Sequence, residues 1–212
     1  NRLDNILSTL QGKDRARVKI VFHDLKSEIN PWIRKEIGEV NIILHLAAGS
    51  HVDRSIEFPI EFVMDNVLGT ANILEYARHI NTDNSQFEKF IYFSTDEVFG
   101  PALGDTLFKE WDRHKPTNPY SASKSCGEQI AIAYENTYKI PLMIVNVMNA
   151  FGERQHVEKF IPLCIKRILN NEKIFIFGGD RPFNLNKPNK TVNFLSHYSN
   201  IGICFVRELD NN

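Results

Sequence analysis

Cysteine is scarce in this chain. Cys126, Cys164 and Cys204 are odd in number, widely spaced and set among apolar neighbours. That pattern argues against a disulfide framework or a zinc site, and predicts free thiols packed as small hydrophobes in a reducing, cytoplasmic setting. Excess charge of one sign is also missing. The net charge is −1, so no broad field favours nucleic acid or an anionic membrane surface. No apolar run approaches the roughly 18 residues of a spanning helix, and the polar start lacks the apolar stretch of a signal peptide. His23, His51, His79, His114 and His156 show no metal-ligand spacing, and His45 reads as a satisfied core residue. A Gly-x-Ser-x-Gly elbow is absent, which argues against a Ser-His-Asp hydrolase.

What is present is a soluble globular composition, 42% hydrophobic and 11% aromatic, able to bury a core. Short β-branched runs alternate with helical stretches. Strands are predicted over residues 18–22, 40–46, 89–94, 141–147 and 173–177. Helices are predicted over 60–80, 120–138 and 158–169. The run over 40–46 is nearly continuous in apolar residues, as a strand covered on both faces requires. Residues 100–119 and 178–190, rich in Gly, Pro and Asn, read as loops. This alternation predicts an α/β fold: a Rossmann-type, doubly wound parallel sheet. Such a fold opens with a strand, a glycine-rich turn and a helix that holds a pyrophosphate. Here Gly12 and Gly38 stand alone, so the first βα unit, roughly 30 residues with its crossover, is expected to be lacking through truncation. Residues 1–150 would form the dinucleotide-binding domain and residues 151–212 the start of a smaller substrate-binding lobe.

Ligands of open parallel sheets bind beyond the carboxyl ends of the strands. Asp24 follows the first predicted strand, Ala47-Ala48-Gly49-Ser50 the second, and Thr95-Asp96-Glu97 the third. Tyr120 and Lys124 lie four apart on a predicted helix and therefore share a face. A phenol with an ordinary pKa near 10 is a poor base at neutral pH, and a neighbouring ammonium would lower that value. Taken singly, each motif has a plain reading as well: chance spacing for the Tyr–Lys pair, a helix cap or solvated turn for Ser94-Thr95-Asp96-Glu97.

Taken together, they are more specific. A hydroxyl and two acids, then 22 residues, then Tyr-x-x-x-Lys resembles the extended short-chain dehydrogenase/reductase superfamily and its NAD-dependent epimerase/dehydratase family. Phe93-Ser94-Thr95-Asp96-Glu97-Val98-Phe99-Gly100 and Asn118-Pro119-Tyr120-Ser121-Ala122-Ser123-Lys124 look most like the strand and catalytic helix of dTDP-glucose 4,6-dehydratases. His45-Leu46-Ala47-Ala48-Gly49-Ser50-His51-Val52-Asp53 and Asn66-Val67-Leu68-Gly69-Thr70 also match, and the resemblance runs from about residue 17 to residue 177.

The resemblance implies NAD as cofactor and a nucleoside-diphosphate hexose as substrate, with loss of water giving a 4-keto-6-deoxy sugar. Asp24 and Leu25 would hold the adenine; Leu46, Ala47, Ala48, Ser50 and Asn66 would line the cofactor channel. Tyr120 would take the sugar C4 hydroxyl proton, with Thr95 on the same oxygen and Lys124 on the nicotinamide ribose. Asp96 would protonate the departing C6 hydroxyl and Glu97 would remove the C5 proton. Water elimination needs an acid and a base that hydride transfer alone does not. Ser50, Asn149, Glu158 and Lys159 would contact the substrate, with Arg154 and Lys190 near its diphosphate. Glu158 and Lys159 equally suit a solvated first helical turn. His197 stands where the family has an acid. A sugar-nucleotide 4-epimerase and a catalytically silent relative are the alternatives. Apolar residues over 62–80 and 130–138 suggest a homodimer, although Ile73 and Tyr134 could equally face the sheet.

Overall fold

The computed structural model describes residues 7–83, 86–102, 105–152, 155–174 and 205–208. Helix α1 spans Gly12–Ala16 and α2 spans Pro31–Ile37. The Asn30 side chain caps α2 by accepting from the backbone N–H groups of Trp32 and Ile33. Strand β1 covers Ile42–His45, β2 covers Lys89–Thr95, β3 covers Leu142–Val147 and β4 covers Phe205–Glu208. They form one sheet in the order β1-β2-β3-β4. β1 and β2 run parallel, with Ile42 opposite Lys89 and His45 opposite Tyr92.

Helix α3 spans Val52–Glu57, α4 spans Pro59–Val63 and α5 spans Gly69–Asp83. A π-helical turn over Met64–Leu68 joins α4 to α5 without leaving helical dihedrals. Helix α6 runs over Pro119–Tyr138 and stops where Lys139 turns left-handed; α7 covers Phe160–Leu169. The core lies where α5 and α6 meet the sheet, around Leu74, Ala77, Phe90, Tyr92, Ala131 and Ile144. Gly127 lets α6 approach closely, since a Cβ there would collide with the Tyr92 hydroxyl. Ile73 and Tyr134 pack against this same core. Among the described residues no helix is long and apolar enough to cross a membrane.

The described chain divides into two units, one running to Asn146 and taking in the stretch from Val206, the other running from Val147.

Three expectations need correction. Residues 18–22 are not a strand, and Phe22 is 82% exposed. A strand exists only through a partner's hydrogen bonds, and among the described residues β1, at the end of the strand order, pairs with β2 alone. β1 is covered on one face: Ile43 and His45 are buried, while Ile42 and Leu44 are exposed. Its apolar run would suit cover on both sides, which the described residues supply on one. Cys126 is exposed and Cys164 half-buried, because Cys126 falls on the outward side of α6, away from the buried Ser123, Lys124 and Gly127. β4 was not foreseen, and the strand expected over 173–177 falls largely outside the described residues, as does Cys204.

Candidate active site

The end of β2 and the start of α6 meet in three dimensions. At Thr95 the extended strand gives way to a 3-10 turn over Asp96–Phe99. The Thr95 hydroxyl caps that turn by accepting from the Glu97 backbone N–H at 3.3 Å, and donates to Asp96 Oδ1 at 3.2 Å. This bend lets two adjacent carboxyls serve one place, which a straight strand would forbid. On the other side, Asn118 and Pro119 open α6 with a capping box: the Asn118 side chain accepts from Ser121 N–H and Ser121 Oγ accepts from Asn118 N–H. Tyr120, in the first turn, has its backbone N–H held by the buried Ser55 hydroxyl at 3.1 Å.

The Thr95 side chain lies near enough to the Tyr120 phenol to act on its ionisation. Burial pushes the Tyr120 phenol up to about 12; the nearby Glu97 and Asp96 carboxyls push the same way, and Thr95 pulls against them. Burial also raises Asp96 above the usual carboxyl range, with the Thr95 hydrogen bond opposing. A carboxyl whose charge burial disfavours, set beside a phenol and a hydroxyl, is suited to give up a proton.

Lys124 lies one turn after Tyr120 and is buried. Its ammonium donates to the Phe93 carbonyl and stands over the Tyr92 ring, and burial brings its pKa down to about 8. The shift of Tyr120 comes from burial and carboxyls, not from Lys124. The expected lowering of the phenol is therefore not seen: the cation faces the underside of β2.

Of the residues expected at the cofactor, Leu46, Ala47, Ala48 and Ser50 follow β1 and are exposed. Asp24 is exposed too. A hydrogen bond from the Lys26 backbone holds its carboxyl below the usual range, and Lys26 bridges it to Asp65. The Leu25 carbonyl accepts from Asn72 at 2.7 Å, which docks this loop on α5. Asn66 departs from expectation as a direct cofactor ligand. It is 1% exposed. Its Oδ1 accepts from Gly49 N–H at 2.7 Å, and its Nδ2 donates to Gly49 O at 3.0 Å and Ser123 Oγ at 2.9 Å. Both amide hydrogens are spent inside the protein, so Asn66 fixes the turn after β1 against α6. The π turn that carries it re-aims side chains in this way.

Sequence reasoning missed a second buried group. Glu128 on α6 accepts from Asn146 Nδ2 at 3.2 Å and pairs with His114 Nε2 at 3.3 Å. Asn146 also donates to the Thr95 carbonyl at 3.3 Å, tying this group to the turn. Burial pushes Glu128 up, yet its hydrogen bonds, led by His114, leave it below the usual range. Nothing local in the sequence marks this trio. Asn118 was missed as well, although an Asn-Pro pair is a recognisable signal of a helix start.

Asn149, Glu158 and Lys159 belong to the second unit. Asn149 and Glu158 are exposed, Lys159 is half-buried at the start of α7, and Glu158 pairs with His156 at 3.1 Å. In the same unit Phe151, Gly152, Gln155, Ile161, Pro162 and Ile165 line a pocket of about 280 Å³. Arg154, Lys190 and His197 lie outside the described residues. Among the described residues no group of three His, Cys, Asp or Glu could hold a metal ion.

A parallel α/β sheet with a Tyr-x-x-x-Lys helix set against a hydroxyl–diacid turn defines the class: a short-chain dehydrogenase/reductase of Rossmann type. Within that class the chain belongs to the GDP-mannose 4,6 dehydratase family, whose model matches residues 1–183. A dTDP-glucose 4,6-dehydratase of Neisseria gonorrhoeae is 39% identical over 141 residues, covering 64% of this chain and 41% of the relative. The fold is that of a dTDP-glucose 4,6-dehydratase double mutant from Streptomyces venezuelae solved with NAD bound, with a TM-score of 0.72 and 29% identity over 84% of this chain and 52% of that one. A UDP-glucuronic acid 4-epimerase from Bacillus cereus solved with NAD is also similar, at a TM-score of 0.60 and 28% identity over 74% of this chain and 45% of that one. The chain thus spans about two fifths of the length of the curated relative it matches.

Proposed function

We propose that this chain carries the catalytic core of an NAD-dependent hydro-lyase that converts a nucleoside-diphosphate hexose, dTDP-glucose first among them, to its 4-keto-6-deoxy sugar. One observation carries the reading: the Tyr120 phenol lies close enough to Thr95, Asp96 and Glu97 for all three to act on its ionisation. The residues at the carboxyl ends of β1 and β2 fit a dinucleotide, since Ala47 and Ala48 are exposed and carry nothing beyond Cβ. Ala47, Ala48 and Ser50 would line it, with Asp24 and Leu25 at the adenine and Lys124 at the ribose. NAD, when bound, accepts a hydride from the sugar and returns it.

Tyr120 would receive the C4 hydroxyl proton as a phenolate. Its own proton, retained by burial, would first pass to solvent, which the positive charge of a bound nicotinamide would favour, and Thr95 would orient the sugar oxygen. Asp96, whose protonated form burial favours, hands a proton to the leaving C6 hydroxyl. Glu97 removes the C5 proton, which the neighbouring carbonyl has made acidic. An epimerase inverts C4 without expelling water and has no use for this acid–base pair, so the two carboxyls favour dehydration. Asn149, Glu158 and Lys159 are the substrate contacts of this reading. A cytoplasmic setting and a homodimer packed through the outer faces of α5 and α6 complete it; a monomer in sedimentation would remove the dimer. The deciding experiment incubates the protein with NAD and dTDP-, UDP- and GDP-hexoses and weighs the products. Loss of one water is expected, whereas an unchanged mass with inverted C4 would make it an epimerase.

A further inference from the structure

We propose that Asn118 positions the Glu97 carboxylate, one amide serving both as cap of the catalytic helix and as clamp on the group that takes the C5 proton. The amide's orientation follows from its partners. Ser121 N–H can only donate, so the amide oxygen must face it, as it does at 2.8 Å. The nitrogen end is then committed to the opposite side, where it donates to Glu97 Oε2 at 3.1 Å. A flipped amide would set two donors together at the helix and two acceptors together at the carboxylate. Pro119 at the first helical position and the reciprocal Ser121 bond fix the backbone beneath. The clamp is therefore built into the start of the helix that carries Tyr120.

The chemistry of the contact follows. A donor to a carboxylate favours its charged form, and the charged form is the one that can accept a proton from carbon. Clamping Oε2 fixes the direction of the whole carboxylate. Tyr120 on α6 lies near Glu97 and Asp96 precedes it on the same turn; neither supplies a positive charge to it.

Capping alone would be served about as well by Ser or Asp, so the two roles separate. Asn118→Ser keeps a cap and loses the clamp; Asn118→Asp keeps a cap and sets a second carboxylate against Glu97. The inference rests on the dehydration reading for its catalytic consequence, and two readouts keep the two apart. The first is carbon-13 NMR titration of the Glu97 carboxyl, assigned by its loss in Glu97→Gln. Glu97 should titrate higher in Asn118→Ser than in the parent, and higher again in Asn118→Asp. The second is the pH profile of water loss. In Asn118→Ser, kcat should fall about tenfold or more, as loss of a hydrogen bond to a charged group implies, with KM near the parental value and the acid limb moved to higher pH. Glu97 titrating in both variants as in the parent would overturn the proposal, as would a parental pH profile in Asn118→Ser. If the parent expels no water from any nucleotide hexose, the dehydration reading fails, and the NMR titration alone still decides the clamp.

Discussion

The Lys124 ammonium donates to the Phe93 carbonyl oxygen at 2.6 Å, so the cation of the Tyr-x-x-x-Lys helix is anchored to the backbone of β2. Burial disfavours its charge, and its pKa falls to about 8 from an ordinary 10.5. Between those values the unfolded chain binds more protons than the folded one, so stability must rise with pH across that window. The slope is at most about 1.4 kcal/mol per pH unit. Urea unfolding between pH 8 and 10 should show this rise in the parent and a flatter profile in Lys124→Met. Equal slopes would mean that the amine is solvated.

His45 sits under the sheet between Phe90 and Tyr92, bonded to the Thr70 hydroxyl at 3.0 Å. Burial, helped by the Lys124 charge, lowers its pKa to about 4. The folded state holds it neutral, so its stabilisation is complete above about pH 6.5 and is lost as pH falls toward 4. Asp96, whose pKa is raised, works in the opposite sense over part of this range, which makes a difference measurement necessary. His45→Gln should lose less stability than the parent between pH 6.5 and 4.5. A parallel loss in both would place the acid sensitivity elsewhere.

On the dehydration reading, Glu97→Gln leaves the shape of the turn in place and removes the group proposed to take the C5 proton. Water loss should drop about 10²- to 10⁴-fold, the range that a positioned base supplies, while calorimetric titration finds NAD binding unchanged. Dehydration at the parental rate would assign the C5 proton to another group.

Asn66 makes three hydrogen bonds through one buried amide. Asn66→Ala leaves the Gly49 N–H and C=O without these partners, at a cost of roughly 2–4 kcal/mol given the penalty for each buried unsatisfied group. Chemical denaturation measures it. A loss below about 0.5 kcal/mol, the level of an ordinary surface change, would show that water replaces the amide.

Local order was largely legible in the chain itself. Asn118-Pro119 announces the start of α6, and the β-branched and aromatic run at Lys89–Thr95 announces β2, because caps and strand periodicity act within one turn or one pleat. Residue types also marked the candidate site: a phenol, a hydroxyl and two carboxyls at the ends of elements. Tertiary structure decided the rest. Only folding could show that Thr95 bends the chain so that Asp96 and Glu97 serve one place, that Asn66 is consumed inside the protein, or that Lys124 faces Phe93. It also decided that residues 18–22, for all their strand character, find no strand partner among the described residues. Each of these depends on groups far apart in sequence competing for the same hydrogen-bond partners and the same shelter from water, and that competition is settled when the elements pack.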